Sequence, residues 1–153
     1  MAQTDDFNPL SLDNQLCFPL YAASRELIRL YKPFLDPLKL TYPQYVTMMA
    51  LWENDQVKVS ELGSKVHLDS ATLTPLLKRL EAQGYVNRRR SEADERAVIV
   101  SLTEEGHALR ERALGVPSCV ASCIALTPEE GLQLKQLLEK LIATMGEPRG
   151  PVA

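Results

Sequence analysis

The stretch SELGSKVHLDSATLTPLLKRLEAQGYVNRRRSEADERAVIVSL, residues 60–102, decides the fold. Its start, with Val59, reads as a short helix over 59–66 capped by Ser60, and Val66, His67 and Leu68 make a brief turn. Asp69 caps a second helix over 70–83, and Gly84 is its stop signal. Residues 85–90 and 97–102 read as two strands, joined by the polar turn Ser91-Glu-Ala-Asp-Glu. Two helices at this spacing, followed by a hairpin, describe a helix-turn-helix with a wing.

In such a module the second helix enters the DNA major groove, N-terminal side chains toward the base edges. Here those are Ser70, Thr72 and Thr74, small hydroxylated groups that bond bases or phosphates and offer a methyl to thymine. Lys78 and Arg79 follow one to two turns on and suit the phosphate backbone. Leu73, Leu76, Leu77 and Leu80 form the inward face. Pro75 removes a helical hydrogen bond, and the sequence offers no positive reason for it. On the wing, alternation sends Arg88 and Arg90 to one face and Arg89 to the other. Arg96 sits just past the tip, where a guanidinium reaches a minor groove, and Asp94 is placed to orient it. An Arg run alone is as often a solvated strand; the wing context favours DNA.

Outward from this core, residues 1–11 read as a loose arm. Asp13 is positioned to cap a helix carrying the apolar stripe Leu16, Leu20, Ala23, Leu27, Leu30 and Phe34, disturbed by Pro19 and ended by Pro33 and Pro37. Thr41-Tyr-Pro-Gln opens a second helix that runs to about Glu53, and Asn54-Asp55 is a turn. After the wing, Thr103 starts a helix that Gly115 and Pro117 disturb and that resumes through Cys123. Thr127-Pro-Glu-Glu is a capping box for a last helix with Leu134, Leu137, Leu138, Leu141, Ile142 and Met145 on one wide face. The tail, residues 148–153, reads as frayed. The expected fold is mainly α with a small β-hairpin. The terminal stripes exceed what one small core needs, so the terminal helices of two chains are expected to interlock as a homodimer.

Bulk composition agrees with a globular chain: 153 residues, 45% hydrophobic, 24% charged, net charge −3. The charge is unevenly placed. Residues 58–101 hold 8 basic and 6 acidic side chains, a net of +2, while the remainder carries a net of −5. A basic middle in an acidic chain fits a local phosphate-facing surface. The acidic start is unlike a signal peptide and no stretch approaches a membrane span, so a cytoplasmic location without membrane contact is expected. Three cysteines argue against a structural disulfide framework.

Several segments carry a resemblance. Ser60-Glu-Leu, the run from Leu68 to Glu81, Gly84-Tyr-Val and the run from Arg88 to Arg96, with its Asp-x-Arg at Asp94 and Arg96, resemble the core of the MarR family. Asn14-Gln-Leu-Cys-Phe, Tyr31-Lys-Pro and Leu40-Thr-Tyr-Pro-Gln-Tyr resemble, more specifically, the organic hydroperoxide resistance regulators within it. The resemblance implies one MarR-type domain over 1–153, with the winged helix-turn-helix at 57–102 and dimerisation helices at 12–40 and 103–146. It implies a homodimeric repressor of a palindromic operator that leaves DNA when an organic hydroperoxide oxidises Cys17, and it implies that Tyr31 and Tyr42 bond that sulfur. Pro19 departs from the pattern and touches only local helix geometry.

By its residues alone, Cys17 is either a small buried hydrophobe or a reactive thiol favoured by a helix start. On one continuous helix Tyr31 lies about 21 Å from Cys17, at ~1.5 Å per residue, so a Tyr31–Cys17 contact crosses between chains. Both tyrosines equally suit plain interface packing. Cys119 and Cys123, four apart, suit inert packing, a metal pair or a resolving thiol. A metal needs more ligands, and His67 (a turn residue) and His107 (an exposed helix residue) lack the spacing, so neither metal nor cofactor is expected. Related regulators imply a resolving role for one of the pair, Cys119 preferred. The rival functions are a thiol peroxidase using Cys17 as nucleophile and a repressor answering a small aromatic ligand in the dimer crevice.

Overall fold

A computed structural model describes residues 8–146; most of the loose arm expected over 1–11, and the tail over 148–153, lie outside the described residues. Two compact units divide at Cys119/Val120.

The first unit begins with a 3₁₀ turn, Leu12–Asn14, and helix α1, Cys17–Leu35. Asp13 belongs to the turn, so it does not cap α1; the N-cap is Leu16, with no side-chain capping bond. Pro19 costs α1 nothing, because first-turn amides have no intrahelical partner. Pro33 was expected to end the helix but lies inside it. The bond it forgoes is on an exposed face, while buried Leu35 anchors the last turn in the core. A second 3₁₀ turn, Asp36–Leu38, carries Pro37 and ends at Lys39 in the left-handed region, φ 55°.

Helix α2, Tyr42–Glu53, opens on a reciprocal capping box between Thr41 and Gln44. Gln44, Tyr45, Thr47, Met48, Ala50 and Leu51 are buried, so α2 is the central helix of the unit. Strand β1, Val57–Lys58, leads directly into α3, Val59–Val66. The N-cap of α3 is Lys58 rather than Ser60, because the chain is still extended there, paired in the sheet. Helix α4, Ser70–Ala82, runs unbroken through exposed Pro75. It closes at Gly84, φ 82°, where Gly84 N–H donates to Glu81 O (2.9 Å) and Tyr85 N–H to Leu80 O (3.0 Å).

The wing strands are β2, Val86–Arg90, and β3, Val98–Leu102, antiparallel with Arg88 opposite Val100. The hairpin is one strand larger than expected, since β1 pairs with β3 (Val57 opposite Val100) in the order β1-β3-β2. Two residues are too short for a periodic signal. The core joins Leu35, Leu51, Leu62, Leu73, Leu77, Leu80, Val86, Val100 and Leu109, all at most 2% exposed.

Helix α5, Glu104–Ala113, is capped by Thr103 and crosses the start of the wing at Gly106. A Cβ on Gly106 would sit 2.1 Å from the Tyr85 carbonyl oxygen, and Gly106 O accepts the Trp52 indole N–H at 2.9 Å. Overpacking of this kind costs roughly 1–3 kcal/mol. Gly106→Ala is therefore expected to lower the melting temperature by about 5 °C, at ~2–4 °C per kcal/mol. An unchanged melting curve would mean that α5 moves away from the wing freely.

Helix α6, Val116–Ser122, carries Pro117 in its first turn and runs across the division between the units. In the second unit, α7, Pro128–Met145, starts on the reciprocal Thr127/Glu130 box. Leu134, Leu137, Ile142 and Met145 are exposed, and an apolar groove of about 680 Å³ runs along Ile124, Leu126, Leu134, Leu138 and Ile142. No described helix is long and apolar enough to cross a membrane.

Candidate functional site

The reading head is built on α3, α4 and the sheet. Leu73, Leu76, Leu77 and Leu80 bury one side of α4, which turns Ser70, Thr72, Lys78 and Arg79 to the surface and leaves Thr74 half-buried. The Asp69 carboxylate accepts the Thr72 N–H at 2.7 Å, and that bond holds its carboxyl below the usual range. An open groove of about 640 Å³ separates the start of α4 from the wing, with Lys58, Ser70, Thr74, Arg88 and Arg96 among its walls. Hydroxyls and cations thus share one concave face.

Two wing residues are placed differently from the sequence reading. Arg88 was assigned to DNA, but its guanidinium binds Glu81 of α4 (Nε–Oε2 3.1 Å, Nη2–Oε2 2.8 Å), and Glu81 also accepts the Arg88 main-chain N–H at 3.0 Å. Arg88 lowers the Glu81 carboxyl pKa through these bonds. Its first partner is therefore a helix, and its effect is to lock the wing to α4. Asp94 was expected to orient the Arg96 guanidinium. Its carboxylate instead accepts the Arg96 main-chain N–H (3.1 Å), while its own carbonyl accepts Ala97 N–H (2.9 Å). Asp94 shapes the turn and leaves the Arg96 side chain exposed, as are those of Arg89 and Arg90.

Cys17 is the first residue of α1 and is exposed. Around it Leu16 (76% exposed), Phe18, Leu20 and Tyr21 form an uncovered apolar end. One turn on, Tyr21 takes a hydrogen bond from Arg25 at 2.7 Å. Tyr31 and Tyr42 are brought together, ring centroids 4.8 Å apart. Buried Tyr45, which the sequence reading missed because it looks like core, completes the cluster at 5.8 and 6.4 Å. Burial raises all three phenol pKa values, and Tyr42 raises that of Tyr31 further, so the hydroxyls stay protonated donors. Since α1 is continuous, Cys17 and Tyr31 of one chain stand about 21 Å apart along it.

Cys119, on α6, and Cys123 are both exposed. They are not a regular one-turn pair: α6 ends at Ser122, and Cys123 N–H donates to Val120 O at 3.0 Å. His67 closes α3 in the left-handed region, a turn residue as read. His107 is exposed as read but faces the Asp55 carboxylate at 3.5 Å, while Asp55 also accepts Leu102 N–H (2.8 Å).

Comparison with known proteins agrees with this architecture. The family described as "Transcriptional regulator SarA/Rot" matches residues 29–112. The organic hydroperoxide resistance transcriptional regulator of Bacillus subtilis is 48% identical over 91% of this chain and 95% of its own. AbfR, a Staphylococcus epidermidis protein, superposes in its reduced, DNA-bound form with a TM-score of 0.75 at 36% identity, covering 88% of this chain and 92% of AbfR. Its disulfide-formed structure gives 0.62 at 38% identity, over 86% and 92%. A MarR variant from E. coli complexed with operator DNA gives 0.72 at 26% identity, over 82% and 92%. These relatives are regulators, which sets the thiol-peroxidase alternative aside. With its winged reading head and these relatives, the chain belongs to the MarR family of DNA-binding transcriptional regulators, in the group of the organic hydroperoxide resistance regulators.

Proposed function

We propose that the protein is a homodimeric repressor released from a palindromic operator when an organic hydroperoxide oxidises Cys17. The observation that carries this reading is a pair of features on α1: an exposed thiol at its start and, near its other end, a cluster of protonated phenols, Tyr31 and Tyr42 half-buried and Tyr45 buried. An antiparallel pairing of two α1 helices would bring Cys17 of each chain to Tyr31 and Tyr42 of the other. It would also cover Leu16, Phe18 and Leu20, which water otherwise meets. In this dimer, segments 12–40 and 103–146 supply the interface, and 57–102 reads DNA through Ser70, Thr72, Thr74, Lys78, Arg79, Arg90 and Arg96. Arg88 and Asp94 hold the wing in shape. The B. subtilis relative is named for organic hydroperoxide resistance, and reduced AbfR is described bound to DNA; both support the assignment.

The chemistry balances without a cofactor. The Cys17 thiolate attacks the distal peroxide oxygen, the O–O bond breaks, the leaving alkoxide takes a proton from water to depart as an alcohol, and a sulfenic acid remains. The Cys119 thiolate of the partner subunit, or failing that its Cys123, then attacks the sulfenic sulfur; the S–O bond breaks, a disulfide forms, and the departing hydroxide takes a proton from solvent and leaves as water. Such a bond requires Cα atoms within about 7 Å. Non-reducing electrophoresis after peroxide treatment is expected to show a covalent dimer that dithiothreitol reverses. The band is expected to vanish in Cys17→Ser and in the Cys119/Cys123 double serine variant. A band that persists in the double variant would exclude both as resolving thiols.

A further inference from the structure

Between the tyrosines and the reading head lies a short strap, residues 37–41, which joins α1 to α2. Three of its carbonyls are taken by residues distant in sequence. Lys39 O accepts the Gln83 side-chain amide (Nε2, 2.7 Å), Leu38 O accepts the Tyr85 hydroxyl (3.3 Å), and Pro37 O accepts Arg112 Nη2 (2.8 Å). Gln83 is the C-cap of α4 and Tyr85 follows the stop glycine of the same helix. The strap is thus bonded to the end of the helix that reads DNA.

The other side of the strap leads to the sensor. Gln44, 5% exposed, accepts the Thr41 N–H through Oε1 (2.9 Å), which aims its Nε2 at Gln83 Oε1 (3.5 Å). The orientation of both amides follows from this chain: Gln44 must donate outward because its oxygen is used, and Gln83 must donate to Lys39 because a carbonyl only accepts. Thr41 and Gln44 form the capping box of α2, whose first residue is Tyr42 and whose fourth is Tyr45. Lys39 holds its carbonyl in place by a left-handed turn, φ 55°. A shift of the tyrosine cluster therefore pulls on the strap, and the strap pulls on α4.

We propose that Gln83, with Tyr85, is a positioning residue that couples the thiol sensor to the recognition helix through the 37–41 strap. This rests on the peroxide-release reading above. Neither residue lines the groove between α4 and the wing, and neither is among the residues assigned above to DNA or to the thiol, so their loss is expected to leave both end functions intact and to cut the link between them. Gln83→Glu is the sharpest variant, because it keeps the shape and replaces the donor to Lys39 O by an acceptor. Tyr85→Phe removes only the hydroxyl.

The test measures three quantities on the full-length protein: the rate of Cys17 sulfenic acid formation with cumene hydroperoxide, operator affinity when reduced, and operator affinity when oxidised. For wild type, oxidation is expected to weaken binding by about 5–150-fold, the usual range of coupling between sites. For Gln83→Glu, and more so for Gln83→Glu combined with Tyr85→Phe, that ratio is expected to fall to about twofold or less. Reduced affinity and oxidation rate are expected to stay within about threefold of wild type. A wild-type ratio in either single variant and in the double variant would overturn the coupling role. A wild-type protein that oxidises without release, or does not oxidise, would overturn the peroxide-release reading and the coupling with it. Should the double variant not fold, the Tyr85→Phe ratio decides: unchanged overturns the role, reduced supports it.

Discussion

Replacing Cys17 by serine is expected to abolish peroxide response while leaving operator binding intact. Cys17 lies on α1, remote in sequence from every residue of the reading head, so reduced affinity has no reason to change. The hydroxyl that replaces the thiol forms no sulfenic acid, so the affinity ratio between treated and untreated protein drops from about 5–150 to about 1. On the same proposal, the tyrosines set the rate of that step. Their hydroxyls stay protonated because burial raises their pKa values. A hydrogen bond to a charged acceptor contributes about 1.5–3 kcal/mol, so Tyr31→Phe or Tyr42→Phe is expected to slow Cys17 oxidation by roughly tenfold to a hundredfold. Stopped-flow rates equal to wild type in both would reduce the tyrosines to packing. A Cys17→Ser protein that still leaves its operator with peroxide would move the sensor to Cys119 or Cys123. Release of that variant by a small aromatic compound would instead favour the ligand-responsive alternative.

The second large effect is expected at the wing. Arg96 is exposed next to a turn whose main chain Asp94 holds, so its guanidinium is available to a minor groove. Arg96→Ala is expected to weaken operator binding by roughly 1–3 kcal/mol, about 5–150-fold, if it makes a specific groove contact, as measured by titration at fixed moderate salt. Arg88→Ala provides the contrast. Because Arg88 is bound to Glu81, Arg88→Ala removes the side-chain tie between the wing and α4, and Glu81→Ala is expected to reproduce that loss and to remove the main-chain bond as well. Among the described residues no ion-pair partner of Arg96 is found whose loss would mimic Arg96→Ala. Undiminished affinity in Arg96→Ala would remove the wing from the binding surface.

The reading head was legible because its signals are local. Asp69 at the cap, Leu73, Leu76, Leu77 and Leu80 at helical spacing, and Gly84 at the stop each act within one turn of their own residue. The same holds for the Thr127/Glu130 capping box and for the start of α2 at Thr41, both found where expected; that Gln44 completes a second box there is shown by the structure. Exposure of the apolar stripe on α1 was implicit too, since a stripe larger than the core needs has to go elsewhere.

What needed tertiary structure involves partners far apart in the chain. Strand β1 exists because Val57 meets Val100, and two residues carry no period of their own. Pro33 remains helical because Leu35 is buried in a core built from other elements, which outweighs one missing hydrogen bond. Arg88 reads as sharing a face with Arg90 until its guanidinium is found on Glu81. Tyr45 reads as core until it packs beside Tyr31 and Tyr42, and Gln83 reads as a helix end until its amide finds Lys39 O, 44 residues away. The sequence by itself determined the helix-turn-helix, the wing strands and the inward face of α4, because caps, periodicity and residue chemistry are short-range. Which of those side chains are held by other parts of the protein was decided only by the folded chain, since hydrogen bonds and packing between distant segments leave no local trace.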